Sequence, residues 1–192
     1  MKNGFFVSCK KGKENKAYKE LITILNSVFQ SVDTQTDYTS LNVSLEIENE
    51  IEIMKATFFS IYFTYKSILY VSNTSPLFPS RLFSLLKEKS VLFEYVHRIV
   101  PLDRFVTYND EVFCKCLETV DKSLSFKIDY EERFAPKYMK NKIFDFVTNY
   151  LSGMRVNLAQ PDYIILIQVL KTDVGFTVLK DFKGTFNFSK NT

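Results

Sequence analysis

The stretch from Arg155 onward constrains this chain more than any other. Pro161-Asp162 breaks whatever precedes it, and residues 163–170 then run apolar almost without interruption, with β-branched Ile164, Ile165, Ile167 and Val169. That pattern predicts a buried strand. Lys171, Thr172, Asp173 and Gly175 supply turn residues, with Gly175 placed where a turn needs a positive φ. Phe176, Val178 and Phe182 alternate with Thr177 as a second strand paired back on the first, so a hairpin is expected to close the chain. Upstream, residues 136–151 space Met139, Ile143, Phe146, Val147 and Tyr150 as one face of a helix, with Lys137, Lys140 and Lys142 on other faces.

The helix, polar loop, strand and hairpin follow in that order. Val156, Leu158, Pro161 and Asp162 read V-x-L-x-x-P-D, and Lys171, Thr172, Gly175 and Val178 read K-T-x-x-G-x-x-V. This combination resembles the C-terminal half of a THUMP domain, an RNA-binding module of several tRNA-modifying systems.

Composition sets the outer limits of the rest. A chain of 192 residues, 46% hydrophobic and 16% aromatic, can bury a core in one large or two small domains, which argues against disorder. The net charge of +3 is unevenly spread: residues 1–29 carry six Lys against two Glu, and residues 30–55 one Lys against six acids. A basic face for nucleic acid is thus permitted, although solvating lysines give the same composition. The three cysteines, Cys9, Cys114 and Cys116, and the single His97 fit no structural zinc spacing, so no metal is expected. No apolar stretch approaches the roughly 18 residues of a membrane span and the start lacks a signal peptide, so an intracellular protein without a membrane partner is expected.

Taken from its beginning, the chain opens with a strand at residues 5–9 and an amphipathic helix at 14–29, Tyr18, Leu21, Ile22, Leu25 and Phe29 lining one side. Gly4, Phe5, Val7, Ser8 and Cys9, followed by Leu21, Leu25 and Asn26, resemble the opening of the THUMP adaptor proteins of tRNA cytidine acetylation. Residues 45–53 alternate as a strand would, while Ile47, Ile51 and Met54 also form a helical stripe. Glutamate favours the helix, so Glu46, Glu48, Glu50 and Glu52 read as its solvated acidic face. A hairpin at 58–65 and 68–72 turning on Lys66-Ser67, a loop at 75–80, a helix at 81–92 and a strand at 93–106 interrupted by Pro101 come next. Leu82, Leu85, Leu86 and Val91 are the expected inward face of that helix. Arg98 and Pro101 fit an R-x-x-P pattern of the same family. From Asn109 a helix carries Val112, Phe113, Cys116, Leu117 and Val120 on one face. A strand at 123–134 then points Phe126, Ile128 and Tyr130 inward and Lys127, Asp129 and Glu131 outward.

These elements predict an α+β fold. Residues 1–106 have the β-α-β-β-α-β order of a ferredoxin-like domain, with an acidic insertion around 33–55, and residues 107–192 form the THUMP domain that the resemblance implies.

What the sequence lacks narrows the function. The five glycines build neither a P-loop nor a dinucleotide fingerprint, Cys9 has no partner base, and one histidine in a strand pattern gives little material for catalysis. A binding module without catalytic residues or cofactor is the expectation. Arg98, Arg133, Lys137, Lys140, Arg155 and Lys171 border the best-matching elements and are the candidate RNA contacts, each equally readable as a solvated charge. By resemblance the partners are tRNA and a separate RNA cytidine acetyltransferase that forms N4-acetylcytidine in the D-arm of serine and leucine tRNAs, in the nucleus or nucleolus or in the cytoplasm. Two other readings stay open: an RNA-holding part of a methyltransferase or thiolation enzyme, and a ferredoxin-like interaction protein with no RNA ligand.

Overall fold

The computed structural model describes residues 2–33 and 58–188 of the chain. The acidic helix expected from residues 45–53 lies outside them. The first half comprises β1 (Lys2–Cys9), α1 (Glu14–Asp33), β2 (Phe59–Tyr65), β3 (Ile68–Asn73), α2 (Pro79–Glu88) and β4 (Val96–Thr107). The second comprises α3 (Asp110–Leu117), β5 (Ser125–Arg133), α4 (Lys137–Tyr150), β6 (Arg155–Val156), β7 (Tyr163–Leu170) and β8 (Asp173–Lys180). The eight strands of the described residues join one sheet in the order β2-β3-β1-β4-β8-β7-β5-β6, in a mixed α/β fold. Every pairing is antiparallel except those of β5 with β6 and with β7.

Local chemistry explains most boundaries. The β2–β3 hairpin turns on Lys66 and Ser67, both at positive φ (31° and 70°), as a two-residue turn matched to strand twist requires. Helix α2 begins two residues before Arg81, because the φ of Pro79 suits a first helical position and its missing N–H would have no partner there. It stops at Glu88, short of the expected residue 92, and Ser90 at φ 49° turns the chain so that Val91 lies past the helix end. Asn109 caps α3 by accepting the Glu111 N–H at 2.8 Å.

β7 and β8 contribute to both cores. From β7, Ile164 and Leu166 join the first cluster, formed with β1, β3, β4, α1 and α2, while Tyr163, Ile165, Ile167 and Val169 join the second, under α3 and α4. From β8, Leu179 joins the first and Val174 and Phe176 the second. Alternation thus assigns successive residues to opposite faces, and both faces are covered. Helix α4 contributes Met139, Ile143 and Val147 to the second cluster, and α3 contributes Phe113 and Leu117.

Two expectations about the closing hairpin need correction. Its turn is only Lys171-Thr172, with Leu170 paired to Asp173, and it is Lys171 that takes the positive φ, at 56°. Gly175 lies inside β8, between Gln168 of β7 and Phe105 of β4, where a Cβ would overlap the Leu102 side chain. Phe182 follows β8 and stacks on Phe186, with ring centroids 4.9 Å apart.

Pro101 does not interrupt β4. Pairing with β8 covers only Arg104 to Thr107, so the side of β4 facing β8 has no ladder partner at Pro101 and its missing N–H costs nothing. The Thr177 hydroxyl occupies the gap, accepting the Asp103 N–H at 2.7 Å and donating to the Pro101 carbonyl at 2.9 Å. Further along the same edge the chain's tail takes over: the Ile99 N–H donates to the Phe186 carbonyl (3.0 Å) and the Phe188 N–H to the His97 carbonyl (2.8 Å). Phe186 and Phe188 are buried there, both against Phe83 and the latter also against Phe93.

Candidate nucleic-acid interface

Five of the six candidate cations lie toward the end of β5 that leads into α4. Glu131, near the C-terminal end of β5, receives Arg98 from β4 at 2.9 Å and Arg133 at 3.0 Å, and Gln168 donates to it at 3.3 Å. Instead of facing solvent freely, Glu131 therefore clamps two guanidiniums from strands that are not sheet neighbours. The triad keeps one net positive charge, and each guanidinium retains N–H donors that the clamp does not use.

Lys171 reaches the same end because its backbone N–H donates to the Arg133 carbonyl at 3.0 Å. Lys137, three residues on from Phe134, opens α4 and is exposed, and so is Lys140 one turn later, its ammonium 5.8 Å from the ring centroids of Tyr130 and Phe144. Among the described residues Lys137, Lys140 and Lys171 make no ion pair, which leaves their charge available to a ligand. Arg155 stands apart. It pairs with Ser125 at the opposite end of β5 from Arg133, roughly 26 Å away at about 3.3 Å per residue.

The structure adds residues that sequence reasoning passed over. Lys66 at the β2–β3 turn is exposed, and with Lys13, Lys16 and Tyr65 it lines a shallow depression beside the start of α1. Tyr65 in turn meets Phe134, the residue that follows β5, edge to face with centroids 5.3 Å apart. An aromatic at the end of the expected strand was the available signal for Phe134, although its parity with Phe126, Ile128 and Tyr130 would bury it; the meeting with Tyr65 depends on how the two halves pack.

Two further titratable groups are held by their surroundings. Burial pushes the Cys9 thiol up to about 11, with the Glu14 carboxylate adding to the effect, and the side chain packs in the first cluster. Asp162, of the Pro-Asp motif, accepts from the Ser125 hydroxyl and N–H, and those bonds hold its carboxyl below the ordinary range while tying the start of β7 to the start of β5. Among the described residues no group of three His, Cys, Asp or Glu side chains could hold a metal ion, and no helix is long and apolar enough to cross a membrane.

No protein-family model and no curated protein matches the chain. Among solved structures, PH1313 from Pyrococcus horikoshii superposes on 95% of the chain with a TM-score of 0.51 and 14% identity. TrmN from Thermus thermophilus superposes on 98% with a TM-score of 0.54 and 11% identity. The chain covers 57% and 48% of those two chains, about half of each. At such identities the likeness is one of fold: nearly the whole chain matches a backbone arrangement that PH1313 and TrmN each contain within a longer protein.

Proposed function

We propose that this chain is a non-catalytic tRNA-binding module that holds tRNA for a separate RNA cytidine acetyltransferase inside the cell. The observation that carries the reading is the gathering of Arg98, Arg133, Lys137, Lys140 and Lys171 from β4, β5, α4 and the β7–β8 turn around the C-terminal end of β5, with Lys66 added from the β2–β3 turn through the contact of Tyr65 with Phe134. Cations collected from distant sequence positions suit a phosphate backbone, and recognition of duplex RNA rests largely on such contacts and on shape. The strand order β2-β3-β1-β4 within a β-α-β-β-α-β chain supports the ferredoxin-like reading of residues 1–106, and the resemblance of residues 155–178 to a THUMP domain supports tRNA as the ligand. Formation of N4-acetylcytidine in the D-arm of serine and leucine tRNAs is the step this adaptor would serve. One observation favours a second reading: since the chain covers about half of PH1313 and of TrmN, it can equally be the RNA-holding part of a methyltransferase or thiolation enzyme.

Affinity for tRNA, measured between about 50 and 200 mM salt, tests the first step. If phosphate contacts dominate, binding weakens by orders of magnitude over that range, and replacing Lys66, Lys137 and Lys171 together by Ala lowers the salt slope by about 2 to 3. Arg155→Ala changes it little. Salt-insensitive binding would favour the interaction-protein reading, and an unchanged slope in the triple variant would move the RNA face elsewhere. For the second step, the purified chain with acetyl-coenzyme A and ATP leaves tRNA unmodified, and adding the acetyltransferase yields N4-acetylcytidine. Acetylation by the chain alone would overturn the adaptor reading.

A further inference from the structure

We infer that Tyr65 and Phe134 form a stacking corner for an unpaired nucleotide, an inference that rests on the RNA-binding reading above. Phe134 leaves β5 at φ 58°, a left-handed conformation that a bulky aromatic adopts only when its surroundings impose it. The imposed backbone does not hide the ring: Phe134 is 64% exposed. Tyr65, from the other half of the chain, is 43% exposed and stands against it at an interplanar angle of 89°. Two perpendicular rings, largely open to water, offer a π-face for a base and an edge to stop it sliding.

The charges around the corner fit a nucleotide's other half. Lys66 adjoins Tyr65, its ammonium 5.6 Å from that ring, and Arg133 adjoins Phe134. Lys171, held to the Arg133 carbonyl, and Lys13 and Lys16, beside Tyr65, complete a cationic rim. The nearby carboxylates are already engaged: Glu14 by the Gly12 and Ser67 N–H groups, Glu131 by Arg98 and Arg133, and Glu132 by the Tyr130 hydroxyl. Lys66 and Ser67 beside Tyr65, Phe134 itself, and Lys171 beside Arg133 all take positive φ, so left-handed turns set the backbone around this corner. Two rings are too small an area for a stable protein interface, whereas one base covers them.

The test compares an uninterrupted RNA duplex with the same duplex carrying a single-stranded bulge, by fluorescence anisotropy at fixed salt. The wild-type chain is expected to bind the bulged RNA more tightly. Phe134→Leu and Tyr65→Leu, which keep an apolar side chain and remove the π-face, should weaken bulged-RNA binding about 5- to 100-fold and leave uninterrupted-duplex binding and the melting temperature unchanged, with Phe134→Tyr restoring affinity. Leucine variants that bind both RNAs like wild type would overturn the stacking corner while leaving RNA binding in place. An equal loss on both RNAs would overturn it too, by assigning the pair to packing. Failure of the wild-type chain to bind either RNA at low salt would instead overturn the RNA-binding reading on which it rests.

Discussion

At Gly175 the constraint is space. The residue sits mid-strand with ordinary backbone angles, and what forbids a side chain is Leu102, buried against its α-carbon. Gly175→Val should therefore cost about 1 to 3 kcal/mol by overpacking, and the cost should shrink when Leu102 is also shortened to Ala. A denaturant-based double-mutant cycle on Gly175→Val and Leu102→Ala checks this: a double variant less destabilised than the sum of the singles supports the contact, and strict additivity refutes it. The sequence marks Gly175 as special without saying why, since a turn glycine and a close-approach glycine look alike until the partner is known. Glu131 is a similar case. Its outward parity on β5 is legible, but the pairing with Arg98 arises only when β4 and β5 are brought together by the fold.

Strand β4 shows the same limit at the scale of an element. Propensity and a central proline predict an interruption, whereas a twelve-residue strand tolerates Pro101 because its neighbour on that side has already diverged. The Thr177 hydroxyl then serves backbone groups that β8 leaves unmatched. Replacing Thr177 by Val keeps the shape and removes that bridge, leaving the Asp103 N–H and the Pro101 carbonyl to fend for themselves. An unfolding loss of about 1 to 3 kcal/mol at constant m-value is expected. Wild-type stability would mean those groups find other partners. By contrast β7 and α4 were legible almost residue for residue, and α1 was placed correctly at its start but runs four residues past the expected 29, because these hydrophobic patterns depend on nothing distant.

For the molecule as a whole, the continuous sheet and the two covered faces of β7 make the two halves interdependent. The tail shows it most directly: Phe186 and Phe188 belong to the cluster of the first half, against Phe83 and Phe93, although they lie last among the described residues. Phe188→Ala should cost about 3 to 5 kcal/mol and unfold β4 and α2 together, which hydrogen exchange resolved by residue would reveal as matched loss of protection. Selective loss around β7 and β8 alone would contradict that assignment. Nothing in the composition of residues 181–188 announced this packing, since a short aromatic run with Gly184 also reads as a frayed end.

The shared edge of β4 also has a consequence for synthesis. When residues 2–107 have left the ribosome, one edge of β4 from Val96 to Asp103 has no backbone to bond, and it stays open until Phe186 to Phe188 emerge some eighty residues later. At about 5 to 20 residues per second the nascent chain carries an unpaired, mostly apolar strand for roughly 4 to 16 seconds. That interval is an opening for mispairing with another nascent chain, and Arg98 and Asp103, the two charges on that stretch, are the residues placed to discourage it.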